Sequence, residues 1–308
     1  MKKVLLLTHY QTSADNVFLQ NINKTEGLDA RCTFRQASVP SMVLRRLALR
    51  VAPGLMGLWL GDWKKQVDDY DVIVYIASEY SPSILGWVRR HNSHARLVNY
   101  FWDKVSISRY PIPEEPFIEN WSFNKPDCDQ YGLRYNPQFF CPTIDLSGGE
   151  PEFDTVCICA DRAGKWKHRL QMVRECYQLC ADNDIKAFFH FYTGNKDAAG
   201  EPFSRDYLLA EDEYYDIVSR GKSVIEIVEP GQEWVTLRTF EALSNHKKLI
   251  TNNQSILAED FYSPANVFVL GHDDPSGLKA FLETPYDEEK YAVVMNYAVD
   301  KWAERFRA

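Results

Sequence analysis

Residues 230–252, PGQEWVTLRTFEALSNHKKLITN, hold the densest grouping of side chains that could do chemistry. The run leaves an apolar stretch, passes Gly231 and opens a helix at about Thr236. A helix start presents free backbone N–H groups and a partial positive charge, which suits a diphosphate. Arg238 falls in the first turn, where a cation is unfavourable for the helix itself. That placement makes sense beside an anionic ligand. Glu241 lies three residues further along the same side, placed to accept hydrogen bonds from the vicinal hydroxyls of a ribose. The same residues also fit a plain capped helix, with Thr236 as N-cap and Arg238 and Glu241 as a solvated pair. Taken alone, so short a pattern favours the plain cap.

A second group follows the apolar run FDTVCICA: Asp161-Arg162-Ala163-Gly164-Lys165-Trp166-Lys167-His168-Arg169. In a nucleotide-binding α/β unit the loop from strand to helix is where phosphates are held. Arg162, Lys165 and Arg169 could offset negative charge on a departing nucleotide, or form a solvated basic face at a helix start. No G-x-x-x-x-G-K-[ST] is present, so a P-loop is unsupported. In the first half His9, Glu79 and Asp103 each follow an apolar run. All three could point into one cleft, and any could deprotonate an acceptor hydroxyl. Each alone is more often structural or substrate-orienting. No D-x-D metal loop stands out: Asp127-Cys128-Asp129 has the letters but sits in a Pro-rich stretch with no strand before it. Metal independence and no cofactor are therefore expected.

The elements that must position these groups are read from periodicity. KKVLLLT (2–8), DVIVYIA (71–77) and ARLVNYF (95–101) are continuous apolar runs, the mark of strands buried on both faces. A helix is expected over 83–91. Between 105 and 151 seven prolines and Gly148-Gly149 break regular structure, placing a domain boundary near Gly149. The pattern then restarts, with strands over 153–160, 185–192, 223–228, 248–251 and 266–270. Helices are expected over 166–183, 207–220 and 236–244. Residues 291–306 read as an amphipathic helix. Alternating strands and helices imply parallel sheets. The expectation is an α/β chain of two Rossmann-like domains facing across a cleft, 1–148 and 149–290. A C-terminal helix, 291–308, could cross back.

Composition bounds the rest. The chain has 308 residues, 45% hydrophobic and 25% charged, with a formal net charge of −8. Such an acidic balance argues against a nucleic-acid partner. No segment reaches the roughly 18 apolar residues needed to span a bilayer. The apolar run after Met1-Lys2-Lys3 is too short for a signal peptide. The seven cysteines lack zinc-site spacing and read as reduced, partly buried thiols, which suits the cytoplasm. The stretch that opens at Ser41 and closes at Lys65 carries an apolar stripe (Leu44, Leu47, Ala48, Val51, Leu55, Leu58, Trp59) beside Arg45, Arg46 and Arg50. It could lie peripherally on the inner face of an anionic membrane, or pack on the sheet with its arginine heads in water.

The core T-x-R-x-x-E-A-L, here Thr236, Arg238, Glu241, Ala242 and Leu243, is followed by Lys247-Lys248-Leu249-Ile250-Thr251. Together they resemble the donor-binding motif of GT-B glycosyltransferases, nearest to the bacterial surface-polysaccharide, lipopolysaccharide and CgeB-like types. The resemblance covers about residues 153–270. In the first half it rests on the strand pattern, on Tyr100-Phe101-Trp102-Asp103 and on Phe123-Asn124-Lys125-Pro126-Asp127. Trp234-Val235 replaces the glycine common before the Thr-x-Arg. Glu233 and Glu241 have the spacing of the E-x7-E motif of retaining members, in which the first Glu lies near the transferred sugar and the second binds ribose. The resemblance implies transfer of a sugar from a nucleotide-diphosphate donor to a saccharide or lipid-linked saccharide, in surface polysaccharide synthesis. His9, Glu79, Asp103 and Glu233 are then the catalytic candidates. Arg162, Lys165, Arg169, Trp234, Thr236, Arg238 and Glu241 are the donor-binding ones. A nucleotide-sugar epimerase and a non-catalytic nucleotide-sugar-binding protein remain the rivals. A dinucleotide dehydrogenase is disfavoured, because residues 8–16 contain no glycine.

Overall fold

A computed structural model describes residues 2–9, 17–35, 39–51, 53–148, 150–161, 167–193, 196–198, 200–232 and 234–308. The chain divides into two compact units, Met1–Thr143 with Val299–Ala308, and Ile144–Ala298.

The first unit is built on six parallel strands: β1 (Val4–Thr8), β2 (Leu28–Cys32), β3 (Val72–Ile76), β4 (Arg96–Phe101), β5 (Ile118–Ser122) and β6 (Arg134–Tyr135). Their order across the sheet is β2-β1-β3-β4-β5-β6. All five residues of β1 are buried, as a strand covered on both faces requires. On one face Leu5, Leu7, Ile73 and Tyr75 meet Trp63, Val67 and the helix Ser81–His91 through Ile84, Leu85 and Val88. Strand order reverses between β1 and β3, which is where doubly wound sheets open a crevice at their carboxyl edge.

The second unit repeats the plan with β7 (Thr155–Asp161), β8 (Ala187–Thr193), β9 (Ser204–Arg205), β10 (Ser223–Glu226), β11 (Lys248–Thr251) and β12 (Val267–Val269). The order is β12-β11-β10-β7-β8-β9, again all parallel. Counted from its own first strand this is the 3-2-1-4-5-6 order of mononucleotide-binding pairs, with the reversal between β7 and β10. Both units are thus parallel, doubly wound and Rossmann-like, as the alternation of elements implied.

Two expectations about segments are corrected. Residues 291–306 are not one helix. Glu288–Val294 and the turn Met295–Tyr297 belong to the second unit, Ala298 is extended (ψ 150°), and Val299–Arg307 forms a separate helix in the first. Trp302 and Phe306 on that last helix are fully buried. Trp302 packs 5.2 Å from Tyr100 and 4.6 Å from Phe139, centroid to centroid. The apolar face read as one stripe is therefore shared between two cores.

The stretch from Ser41 to Lys65 likewise does not present its apolar residues as one stripe. It is the helix Val39–Val51, a turn Pro53–Leu58 and part of a second, Asp62–Asp69. Met56, Trp59 and Trp63 are buried, while Val43, Leu44, Leu47, Leu55 and Leu58 are about half exposed or more. Arg45 turns inward, its guanidinium 3.9 Å from the centroid of the Phe34 ring. At helical spacing Met42 and Arg45 share the inner face, and the aliphatic residues 43, 44 and 47 take the outer one.

Candidate functional site

In the second unit a cavity of about 620 Å³ opens at the strand reversal, between the ends of β7 and β10. Its far wall is the helix Leu237–Ser244. This helix forms because Phe240, Ala242 and Leu243 bury one stripe, and because Thr236 caps it. Thr236 is extended (φ −97°, ψ 167°), and its Oγ1 accepts the Arg238 amide at 3.1 Å. The N-cap is therefore real. It also sits in the cavity wall together with Arg238 and Glu241.

Glu241 is 9% exposed. Burial pushes its carboxyl up to about 7, against the pull of Arg238 and of the Tyr214 hydroxyl. Tyr214 Oη donates to Glu241 Oε2 at 3.3 Å, and the Arg238 guanidinium lies 5.6 Å from the centroid of the Tyr214 ring. Tyr214 comes from the helix Glu211–Ser219, which starts later than the periodicity suggested because residues 207–210 run without regular structure along the cavity. Burial works against the charge on Arg238, but Tyr214, Cys159 and Glu226 outweigh it and hold the guanidinium protonated. The solvated Arg238–Glu241 surface pair is thus corrected to a half-buried cation and phenol beside a buried carboxylate, around one opening.

Arg169 also lines this cavity. Its Nε lies 2.8 Å from Glu229 Oε1, and its Nη1 donates to the Ala160 carbonyl at 2.8 Å. The guanidinium is thus already counter-charged, by a residue the sequence reading did not single out. Trp234 is not among the lining side chains; its carbonyl accepts Asn253 Nδ2 at 2.9 Å, which ties down the loop before Thr236. Arg162, Lys165 and Glu233 lie outside the described residues.

The first unit has its own cavity of about 600 Å³ at its own strand reversal, between the ends of β1 and β3. His9 and Glu79 both line it, as do Arg45 and Tyr80. His9 Nε2 lies 2.6 Å from the Ile76 carbonyl; a carbonyl carries no proton, so Nε2 donates and Nδ1 keeps a lone pair. Burial lowers the His9 pKa, which favours the neutral ring. Glu79 is half exposed and lies 3.7 Å from Arg46. Asp103, past the end of β4, does not line the cavity; burial raises its carboxyl. The expectation that all three share one cleft therefore holds for two. The D-x-D letters do follow a strand, β5, contrary to expectation; Asp127 is buried in the first turn of the helix Lys125–Tyr131, and its Oδ2 accepts the Val105 amide at 2.8 Å.

Sequence reasoning missed Glu226, Glu229 and Tyr214, and it placed Arg45 on a membrane-facing or solvated surface rather than in a cavity. For Glu226 the signal was present: it is the one acid inside the apolar run SVIEIV. Among the described residues no helix is long and apolar enough to cross a membrane.

No family model matches the chain and no curated protein matches it. Solved structures do. The lipopolysaccharide outer core galactosyltransferase WaaB, apo form, aligns over 100% of this chain and 98% of its own, with a TM-score of 0.50 at 11% identity. Weaker likenesses include spinosyn forosaminyltransferase SpnP (TM-score 0.46, 13% identity, 99% and 98% covered) and S. aureus MnaA bound to UDP (0.44, 11%, 99% and 95%). At such identities the likeness is one of fold: this chain has the fold of a GT-B glycosyltransferase.

Proposed function

We propose that the chain is a glycosyltransferase that binds a nucleotide-diphosphate sugar in the second unit and a saccharide acceptor in the first. The observation that carries this reading is the second unit's cavity. It joins a helix start, a half-buried guanidinium and a buried carboxylate at the strand reversal of a mononucleotide-binding sheet. That set matches a diphosphate at Thr236 and Arg238 and a ribose at Glu241. In the transfer the acceptor hydroxyl attacks the anomeric carbon and the nucleoside diphosphate leaves with the bonding pair. Arg238, and Arg169 once released from Glu229, stabilise the charge that develops on it. In an inverting reaction His9 Nδ1 takes the acceptor's proton, a role for which a neutral, oriented imidazole suits better than the ion-paired Glu79. The charge stabilisation rests on side-chain cations, so no metal or cofactor is called for. By analogy with WaaB, a lipopolysaccharide outer core galactosyltransferase, we read the product as a bacterial surface glycan.

Peripheral contact with the membrane belongs to the same reading, because it would bring a lipid-linked acceptor within reach. Its support is the outer face of the helix Val39–Val51, with Leu44 61% and Leu47 56% exposed next to Arg46. Replacing Leu44 and Leu47 by Ser should abolish sedimentation with anionic vesicles at low salt; no sedimentation of the wild type ends this part.

A thermal-shift screen against UDP-, GDP-, TDP- and CMP-linked sugars, followed by product analysis with and without saccharide acceptors, tests the whole. A true donor raises the unfolding midpoint by mass action. Stabilisation by no nucleotide sugar contradicts the reading, and conversion of the donor alone to an epimer assigns the epimerase instead.

A further inference from the structure

Glu226, at the carboxyl end of β10, is 2% exposed and lines the donor cavity. Among the described residues neither of its oxygens forms an ion pair with a lysine or an arginine, although its charge acts on Arg238. Three threonine hydroxyls converge on it instead. Thr236 and Thr239, from the cap and first turn of the helix Leu237–Ser244, both donate to Oε1, Thr239 at 3.0 Å. Thr251, the last residue of β11, donates to Oε2 at 2.9 Å.

Two of the three hydroxyls, those of Thr236 and Thr251, are engaged a second time where the site needs it. Because the Thr236 hydroxyl proton is spent on Glu226, its lone pairs face the helix and accept the Arg238 amide at 3.1 Å. Because the Thr251 proton is likewise spent, Thr251 Oγ1 accepts the Asn253 amide at 3.1 Å, and Asn253 Nδ2 reaches back to the Trp234 carbonyl. One carboxylate thus fixes the hydroxyl rotors on both flanks of the loop that ends at Thr236. A hydroxyl free to rotate could turn its proton to either side; these cannot.

We propose that Glu226 is the positioning residue of the donor site: its two carboxylate oxygens set the cap, the first turn and the preceding loop in the arrangement that receives the nucleotide's phosphates. The inference rests on the donor-site reading above. It explains why an acid occupies the inside of an apolar strand, where a carboxylate without partners is strongly unfavourable. It also predicts how the site fails. Both carboxylate oxygens are taken up by the threonine hydroxyls, so the removal of Glu226 acts through those threonines.

The test is calorimetric titration of the full chain with UDP and, separately, with GDP, at fixed salt. Unfolding midpoints are recorded for every variant. Glu226→Ala should weaken the nucleotide that binds by tenfold or more. Glu226→Gln should stay within about threefold of wild type, because its carbonyl oxygen still accepts from Thr236 and Thr239 while its amide donates to Thr251. Thr236→Val should weaken binding several-fold, and the Glu226→Ala/Thr236→Val double variant should bind no worse than Glu226→Ala alone. A purely structural residue would give additive losses and no rescue by Gln. Thr251→Val guards against a Glu226→Ala chain that does not fold: Thr251 does not line the cavity, yet binding should still fall about three- to fivefold. Wild-type affinity in Thr251→Val and Glu226→Ala, or additive losses in the double variant, overturns the proposal while leaving the donor site standing. Binding of neither UDP nor GDP by the wild type overturns the donor-site reading, and this proposal with it.

Discussion

The carboxyl of Glu241 makes a prediction in which affinity and stability move in opposite directions. Burial raises its pKa from 4.5 to about 7. Between those values the folded state binds more protons than the unfolded one, so stability is fullest below pH 4.5 and is lost as pH rises through 7. At about 1.4 kcal/mol per unit, the shift corresponds to a decline of about 3 kcal/mol across that window. Binding behaves in reverse. A carboxylate can accept from both ribose hydroxyls, whereas the acid gives up part of that capacity. If the ionised form alone binds well, the fraction available falls about tenfold from pH 8 to pH 6 around a midpoint near 7, and affinity falls with it. UDP-glucose is the appropriate probe, since a nucleotide sugar lacks the terminal phosphate whose second pKa lies near 6. Glu241→Gln loses one charged acceptor, worth about 1.5–3 kcal/mol, or about 10- to 150-fold in Kd at pH 8. The variant should also lose the pH slope of binding, and its own stability should decline less between pH 4.5 and 7 than the wild type's. Titration calorimetry and thermal unfolding over pH 5–8 measure both. An unchanged Kd in Glu241→Gln, or a pH slope that survives the substitution, refutes the reasoning.

Three further outcomes follow from the same structure. Glu229→Gln should tighten binding of UDP-glucose by a few-fold, because Glu229 counter-charges Arg169 across 2.8 Å and competes with the diphosphate; weaker binding would show that Glu229 serves the ligand. Trp302→Ala should cost about 3–5 kcal/mol of stability, since the side chain is fully buried beside Tyr100, Phe139 and Phe306; a loss under 1 kcal/mol by chemical denaturation would show that the last helix does not anchor that core. Sugar transfer, or slow hydrolysis of the donor, should survive excess EDTA; complete loss, restored by manganese or magnesium, would replace the cationic account with a metal-based one.

The parts of the fold that sequence showed plainly are those governed by burial on both faces. β11 matches its expected span from Lys248 to Thr251, and β1, β3, β4 and β7 differ from theirs only at the ends. β2 (LDARC) and β5 (IENWS) mix buried and partly exposed positions, and β6 and β9 are two residues long. Such strands owe their existence to a neighbour's open edge, which no local pattern carries. The helix start at Thr236 was legible because caps are local chemistry. The inward turn of Arg45 was not, because it depends on where the Phe34 ring lies. The break at Ala298 was hidden for a related reason: a continuous apolar periodicity looks the same whether its two halves serve one core or two. Glu241 was legible by residue type and spacing, while its partner Tyr214 comes from another helix, 27 positions away in sequence.

The central claim is that the second unit's cavity receives a nucleotide-diphosphate sugar in one orientation. A crystal structure of the chain soaked or grown with the donor that most raises its unfolding midpoint tests this most directly. The account predicts density for the nucleotide between the ends of β7 and β10. Both ribose hydroxyls should lie within hydrogen-bond distance of Glu241, and the diphosphate should lie at the Thr236–Arg238 helix start. A nucleotide seated instead in the first unit's cavity beside His9 and Arg45, or one whose phosphates point away from Thr236, would contradict it.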